Sequence, residues 1–190
     1  MTKRKPYSLI LASGGIDSTA CIKFYKNIHF EVEVLFIDYG QMSRKQEYES
    51  LLSIASYYKV KLIKLTVSNS NKKFNGGEVI GRNAFLYFTA LMNFSKETGV
   101  IATGIHSGTN YYDCSNKFIN QLEAVFYDYS KGSISIGVPF INFNKREIWD
   151  YCDIQKVPVY LTYSCELGRA QPCGLCDTCK DLEALYAGKK

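Results

Sequence analysis

Residues 11–20 read Leu-Ala-Ser-Gly-Gly-Ile-Asp-Ser-Thr-Ala and follow directly on an apolar run of strand length. Turns favour Gly, Ser and Asp, so a plain connector is one reading. The same residues also suit a ligand. Gly14 and Gly15 let the backbone approach a bound group more closely than a Cβ would allow. A helix starting at Asp17 aims its free N–H groups and positive dipole end at the turn. Ser13 and Ser18 add hydroxyls. This makes an anion cradle, and phosphate is its natural occupant. Asp17 does not belong in a bare anion site. It belongs there if it holds Mg²⁺ that bridges to phosphate oxygens.

Working outward from this turn, hydrophobic periodicity predicts strands at residues 7–13, 31–38, 60–67, 100–104 and 133–138. Helices are predicted at 17–27, 43–58, 80–98, 115–129 and 144–153. Ser115 and Asn144 read as N-caps, and Gly99 as the cap that ends the long helix. Residues 68–77 are polar with a Gly pair and read as a loop; residues 106–114 are irregular. Strands alternating with helices predict an α/β fold with a mostly parallel sheet. Such sheets bind ligands beyond the carboxyl ends of their strands, near the switch point. The first turn, Asp38-Tyr39-Gly40-Gln41 and Gly104-Ile105-His106 all fall on that edge. Residues 1–155 then form a nucleotide-binding domain and residues 156–190 a Cys-rich tail.

Composition narrows the class. The chain has 190 residues, 46% of them hydrophobic, as expected of a globular protein with a sizeable core. The formal charge of +5 is mild and suits an anionic small molecule as well as RNA. The longest basic cluster is Lys3-Arg4-Lys5, so nucleic acid is not the expected partner. No apolar stretch approaches the ~20 residues of a membrane span. The basic start leads into Ser-Gly-Gly rather than a cleavage site, so a cytoplasmic location is expected.

Seven cysteines without a secretion signal favour metal or free thiols over disulfides. Cys165, Cys173, Cys176 and Cys179 are spaced C-x7-C-x2-C-x2-C, and four thiolates can surround Zn²⁺ tetrahedrally. Four filled positions leave no open one, so the metal is expected to support folding. In so small and polar a tail it would replace a missing core. Reduced thiols or a redox pair are the alternatives. Cys21 and Cys152 read as core residues. Cys114 reads as packed rather than nucleophilic. Arg82 and Lys145 are candidate cations for departing pyrophosphate, although each also suits an ordinary surface.

The stretch Ser-Gly-Gly-Ile-Asp-Ser lacks the Lys of GxxxxGK[ST] and does not match GxGxxG. It resembles the signature of the ATP pyrophosphatase, or PP-loop, family. That resemblance implies cleavage of ATP between the α- and β-phosphates, with AMP transferred to a substrate oxygen. Further motifs follow in order: Asp38-Tyr39-Gly40-Gln41, Gly81-Arg82-Asn83, Thr103-Gly104, Asp113-Cys114, Asn144-Lys145 and the Cys cluster. With these, nearly the whole chain resembles the 7-cyano-7-deazaguanine synthases of the queuosine pathway.

The closer resemblance implies a five-stranded parallel sheet with a zinc appendage, often dimeric. It implies an AMP-forming ligase that adenylates 7-carboxy-7-deazaguanine, takes ammonia to the amide, and dehydrates that to the nitrile with a second ATP. ATP, Mg²⁺ and structural Zn²⁺ are the implied cofactors. Ser13, Gly14, Gly15, Asp17, Ser18, Asp38 and Gly104 would hold ATP. Asp17, Arg82 and Lys145 would be catalytic. Tyr39, Gln41, Asn83, His106, Tyr112 and Asp113 would hold the deazaguanine. Two departures touch the substrate side. The segment before Gly81 is short, and residues 104–114 lack the family's acidic and aromatic pattern. One alternative is a divergent paralogue, of the kind found in antiviral gene islands, that joins the activated acid to an amine of a protein partner. Others are a tRNA-modifying relative or a non-catalytic nucleotide-binding partner.

Overall fold

The computed structural model describes residues 5–67, 74, 78–106, 108 and 110–187. The basic residues Lys3 and Arg4, and the expected loop at 68–77 apart from Phe74, lie outside the described residues. The strands are β1 (Tyr7–Leu11), β2 (Glu31–Asp38), β3 (Lys61–Thr66), β4 (Gly99–Ala102) and β5 (Ile134–Gly137). They form one sheet in the order β3-β2-β1-β4-β5, with every pairing parallel. The helices are α1 (Ile16–Asn27), α2 (Arg44–Tyr58), α3 (Arg82–Met92), α4 (Asn116–Ser130), α5 (Lys145–Ile154) and α6 (Asp177–Ala187).

Parallel strands need crossovers, and the crossovers place helices on both faces of the sheet. Central β1 is therefore buried along its whole length. Its side chains alternate between the two faces. Ile10 joins Val34, Phe36, Ala20, Ile54 and Trp149 in one core. Leu9 and Leu11 join Leu35, Ile37, Tyr87 and Phe126 in the other. Cys21 and Cys152 are buried in the first core, as expected.

Two elements depart from the expectation. The helix expected over 80–98 runs only from Arg82 to Met92, where Asn93 caps it. Phe94 leaves the helical path to pack edge-on against Tyr7, with ring centroids 5.3 Å apart. Gly99 is therefore not a helix cap. It opens β4, donating its N–H to Ser133 O, at a point where a Cβ would lie 2.7 Å from Tyr7 O. The tail also differs, because it contains α6 and is not without a core. Leu182 and Leu185 pack against the first core, and the Tyr186 ring lies 5.0 Å from that of Trp149. Their helical spacing was present in the sequence, but the density of cysteines and charges masked it.

Ser115 and Asn144 cap their helices as expected. Asn144 accepts the Glu147 N–H at 3.0 Å, and Glu147 accepts the Asn144 N–H at 2.7 Å. This reciprocal pair fixes the start of α5 and so the backbone of Lys145. Asn144→Ala is expected to lower the unfolding free energy by about 1 kcal/mol, measured by urea denaturation.

Candidate active site

A cavity of about 600 Å³ opens at the carboxyl edge of the sheet. It lies where the strand order reverses between β1 and β4, the place such sheets reserve for ligands. All three segments expected on this edge contribute to its wall.

The turn after β1 is built for close approach. Gly14 has φ +79, and a Cβ there would lie 2.7 Å from Glu47 O. Its own carbonyl accepts the Ser50 hydroxyl and the Tyr163 N–H, each at 2.9 Å. Gly15 stands at the N-cap of α1 with no side-chain cap. The first-turn N–H groups of a 12-residue helix are thus left for a ligand. Ser13 and Gly15 line the cavity, whereas Gly14 lies behind it. Ser18 also lines it, although its hydroxyl already donates to Gly15 O at 3.0 Å.

Asp17 projects into the cavity from the first turn of α1. Its Oδ2 lies 2.6 Å from Lys145 Nζ and 3.6 Å from His106 Nε2. Three elements converge on this oxygen: α1, the exit of β4 and the start of α5. Gly104 makes the convergence possible, since a Cβ there would lie 2.3 Å from Asp17 O. His106 is buried and accepts the Gly108 N–H at Nδ1, 3.0 Å away. Burial holds its pKa below the ordinary value, although Asp17 pulls the other way. His106 lines the cavity and stands beside Asp17.

The exit of β2 is braced from within. Asp38 is buried, and its Oδ1 accepts the Gly40 N–H at 3.1 Å. Gln41 accepts the Tyr39 N–H at 3.0 Å and donates to Glu47 Oε2 at 2.9 Å. Glu47, which the sequence reading missed, also accepts the Ser43 hydroxyl at 2.7 Å. Burial raises its pKa. It lines the cavity, as do Tyr39 and Gln41, while Asp38 does not. An acid in the first turn of a helix is too common to mark Glu47 in a sequence.

Arg82 and Asn83 reach the cavity from the start of α3. Gly81 offers this helix no cap of its own, and Asp113 takes that role. Asp113 accepts the Asn83 N–H at Oδ2, and Asn83 Nδ2 donates to Asp113 O, both at 3.0 Å. The two residues expected on the substrate thus bind one another and hold Arg82 in place. Tyr112 is 56% exposed, donates to Gln121 and stands outside the cavity wall. Cys114 is buried in a short 3-10 turn at the cavity wall, and burial raises its thiol pKa.

The tail closes the remaining side. Tyr163, Ser164, Glu166 and Thr178, beside or within the Cys cluster, line the cavity. Cys165, Cys173, Cys176 and Cys179 bring four sulfurs within 4.8 Å of one another. A tetrahedral zinc site with thiolate arms of ~2.3 Å has edges of about 3.8 Å. Cys173 and Cys179 stand 3.8 Å apart. The Leu175 and Cys176 N–H groups each donate to Cys173 Sγ at 3.3 Å. These backbone donors push the Cys173 thiol down to about 6, favouring the thiolate that a soft metal requires. The four cysteines fit a structural metal.

A glycine turn leading into α1 at the switch point of an all-parallel sheet defines a PP-loop nucleotide-binding fold. Among solved structures, the U34-tRNA thiolase NcsA of Methanococcus maripaludis, described with its [4Fe-4S] cluster, has this fold. It superposes with a TM-score of 0.55 at 10% identity, over 98% of this chain and 66% of that one. Within that class the chain belongs to the family described as queuosine biosynthesis protein QueC, whose sequence profile matches residues 7–76 and 67–187. A 7-cyano-7-deazaguanine synthase of Buchnera aphidicola is 30% identical over 200 residues, covering 90% of this chain and 86% of the relative. One of Prochlorococcus marinus is 27% identical over 209 residues, covering 94% and 92%. Among the described residues no helix is long and apolar enough to cross a membrane.

Proposed function

We propose that the chain is an AMP-forming carbon–nitrogen ligase that makes 7-cyano-7-deazaguanine. The observation that carries this reading is the convergence of Asp17, Lys145 and Arg82 on one cavity beside the open N-terminus of α1. The phosphates lie against the Ser13-Gly14-Gly15 turn, and Arg82 and Lys145 offset the charge of departing pyrophosphate. Asp17 presents a hard carboxylate oxygen to the cavity, the donor chemistry that Mg²⁺ prefers. Bound there, Mg²⁺ would neutralise phosphate charge.

An oxygen of the acid attacks the α-phosphorus of ATP, and the bridge to the β-phosphate breaks. Ammonia then attacks the acyl carbon, AMP leaves, and the amide forms with loss of a proton. A second ATP adenylates the amide oxygen. Loss of AMP and the remaining N–H protons gives the nitrile. Held beside Asp17, His106 sits nearer the phosphates than the base in this reading. Tyr39 and Asn83 offer the polar contacts for the deazaguanine. Cys165, Cys173, Cys176 and Cys179 would hold Zn²⁺, and residues 156–190 form a zinc-binding tail on the nucleotide-binding domain of residues 1–155.

The experiment is to supply ATP, Mg²⁺, 7-carboxy-7-deazaguanine and ammonium, then follow AMP and pyrophosphate and weigh the products. Two AMP per nitrile is the expected result. AMP release with no nitrile, restored only by adding a protein amine, would replace ammonia with that partner. No AMP at all would remove the ligase reading.

A further inference from the structure

One carboxylate oxygen at the cavity wall has two nitrogen neighbours, and these are held in opposite ways. His106, 3.6 Å from Asp17 Oδ2, is only 4% exposed. Its Nδ1 accepts the Gly108 N–H, so the neutral ring carries its proton on Nε2, facing Asp17. A Cβ at Gly108 would lie 2.9 Å from that Nδ1, so the glycine lets backbone and ring meet. The imidazole is fixed. Lys145, 2.6 Å from the same oxygen, has a side chain that is 30% exposed. Its backbone is anchored by the Asn144–Glu147 pair, while its four-carbon stem is free to swing. The ammonium can leave Asp17 without disturbing α5.

We infer that Lys145 is the resident counter-ion of Asp17 and gives way to the divalent cation that arrives with ATP, while His106 stays behind as the positioning residue that keeps Oδ2 aimed into the cavity. This rests on reading Asp17 as a metal-holding group. An ammonium and a divalent ion repel one another too strongly to share one oxygen in a partly desolvated site. Free cation therefore competes with Lys145. When the cation comes with ATP, the phosphates receive the displaced ammonium, and competition becomes cooperation. The site thus discriminates against free metal and in favour of the metal–nucleotide complex.

The test is a titration of the purified protein with Mn²⁺ in the absence of nucleotide, with free ion read by electron paramagnetic resonance. Lys145→Met and Lys145→Gln are both expected to bind Mn²⁺ at least about tenfold more tightly than the parent. Adding Asp17→Asn to Lys145→Met is expected to abolish the gain. Adding His106→Ala is expected to lose most of it, and His106→Gln, which keeps an N–H donor, to restore part. Two results would overturn the exchange: both Lys145 variants binding within twofold of the parent, or a gain that survives Asp17→Asn. A separate titration with Mn²⁺·ATP checks the underlying reading. A parent protein that retains no nucleotide there would refute the ATP site, whatever the Lys145 variants do with the free ion.

Discussion

Asp17→Ala is expected to lower kcat/KM for pyrophosphate release by at least about a thousandfold, a loss near 4 kcal/mol in transition-state stabilisation. The size follows from the position of the group. Its Oδ2 is the point at which α1, the β4 exit and α5 meet, and Lys145 and His106 both face it. Removing it takes away the carboxylate that faces Lys145. Stability should change little, since the ion pair given up is partly open to solvent, with side chains 26% and 30% exposed. Asp17→Asn separates charge from shape. It keeps an acceptor for Lys145 but loses the negative charge, and should be nearly as inactive. Pyrophosphate release within tenfold of the parent in either variant, with an unchanged thermal melt, would show that the reaction runs without this carboxylate.

Metal removal is the second large effect. Chelation, or Cys176→Ser, is expected to abolish nucleotide binding as well as to destabilise the tail. The cluster does not touch the phosphate turn, but the chain between them does. Tyr163 donates to Gly14 O, and Ser50 bridges Gly14 O and Leu161 O. Without the metal nothing ties the four sulfurs together, and α6 loses its N-terminal anchor. Freeing Leu182 and Leu185, which are partly buried against the first core, costs about 2 kcal/mol. For a domain of this size that corresponds to a fall in Tm of roughly 4–8 °C. The measurement is calorimetry with metal analysis of the same sample, followed by restoration with Zn²⁺. A protein purified free of metal that melts and binds ATP like the zinc-loaded form would show that the cysteines have no such role.

The two effects differ in how far they could be read from the residues. Asp17 lies in a local motif. The strand, the Gly pair and the helix start are neighbours in the chain, so their geometry follows from short-range rules. The same holds for the Asn144 cap and for the two closely spaced Cys pairs. The partner of Asp17 was legible only as a loose cation, Lys145, 128 positions away. The tie between the metal cluster and Gly14 was not legible at all, since a backbone N–H carries no sequence signature.

Several side chains expected at the ligand also hold protein partners. Asn83 and Asp113 satisfy each other, Gln41 braces the β2 exit, and Tyr112 faces solvent beside Gln121. A polar residue on a site edge looks the same in sequence whether its partner is a substrate or another residue, and only burial and distance separate the two.

Alternating periodicity and the glycine turn by themselves determined the parallel sheet, the edge that carries the site and the acid that faces it. Those features depend on contacts between near neighbours and on steric rules that act residue by residue. Tertiary structure alone decided where α3 stops, that α6 returns to the first core, and that His106 stands beside Asp17. Each depends on packing between segments far apart in the chain, where shape and desolvation outweigh local preference.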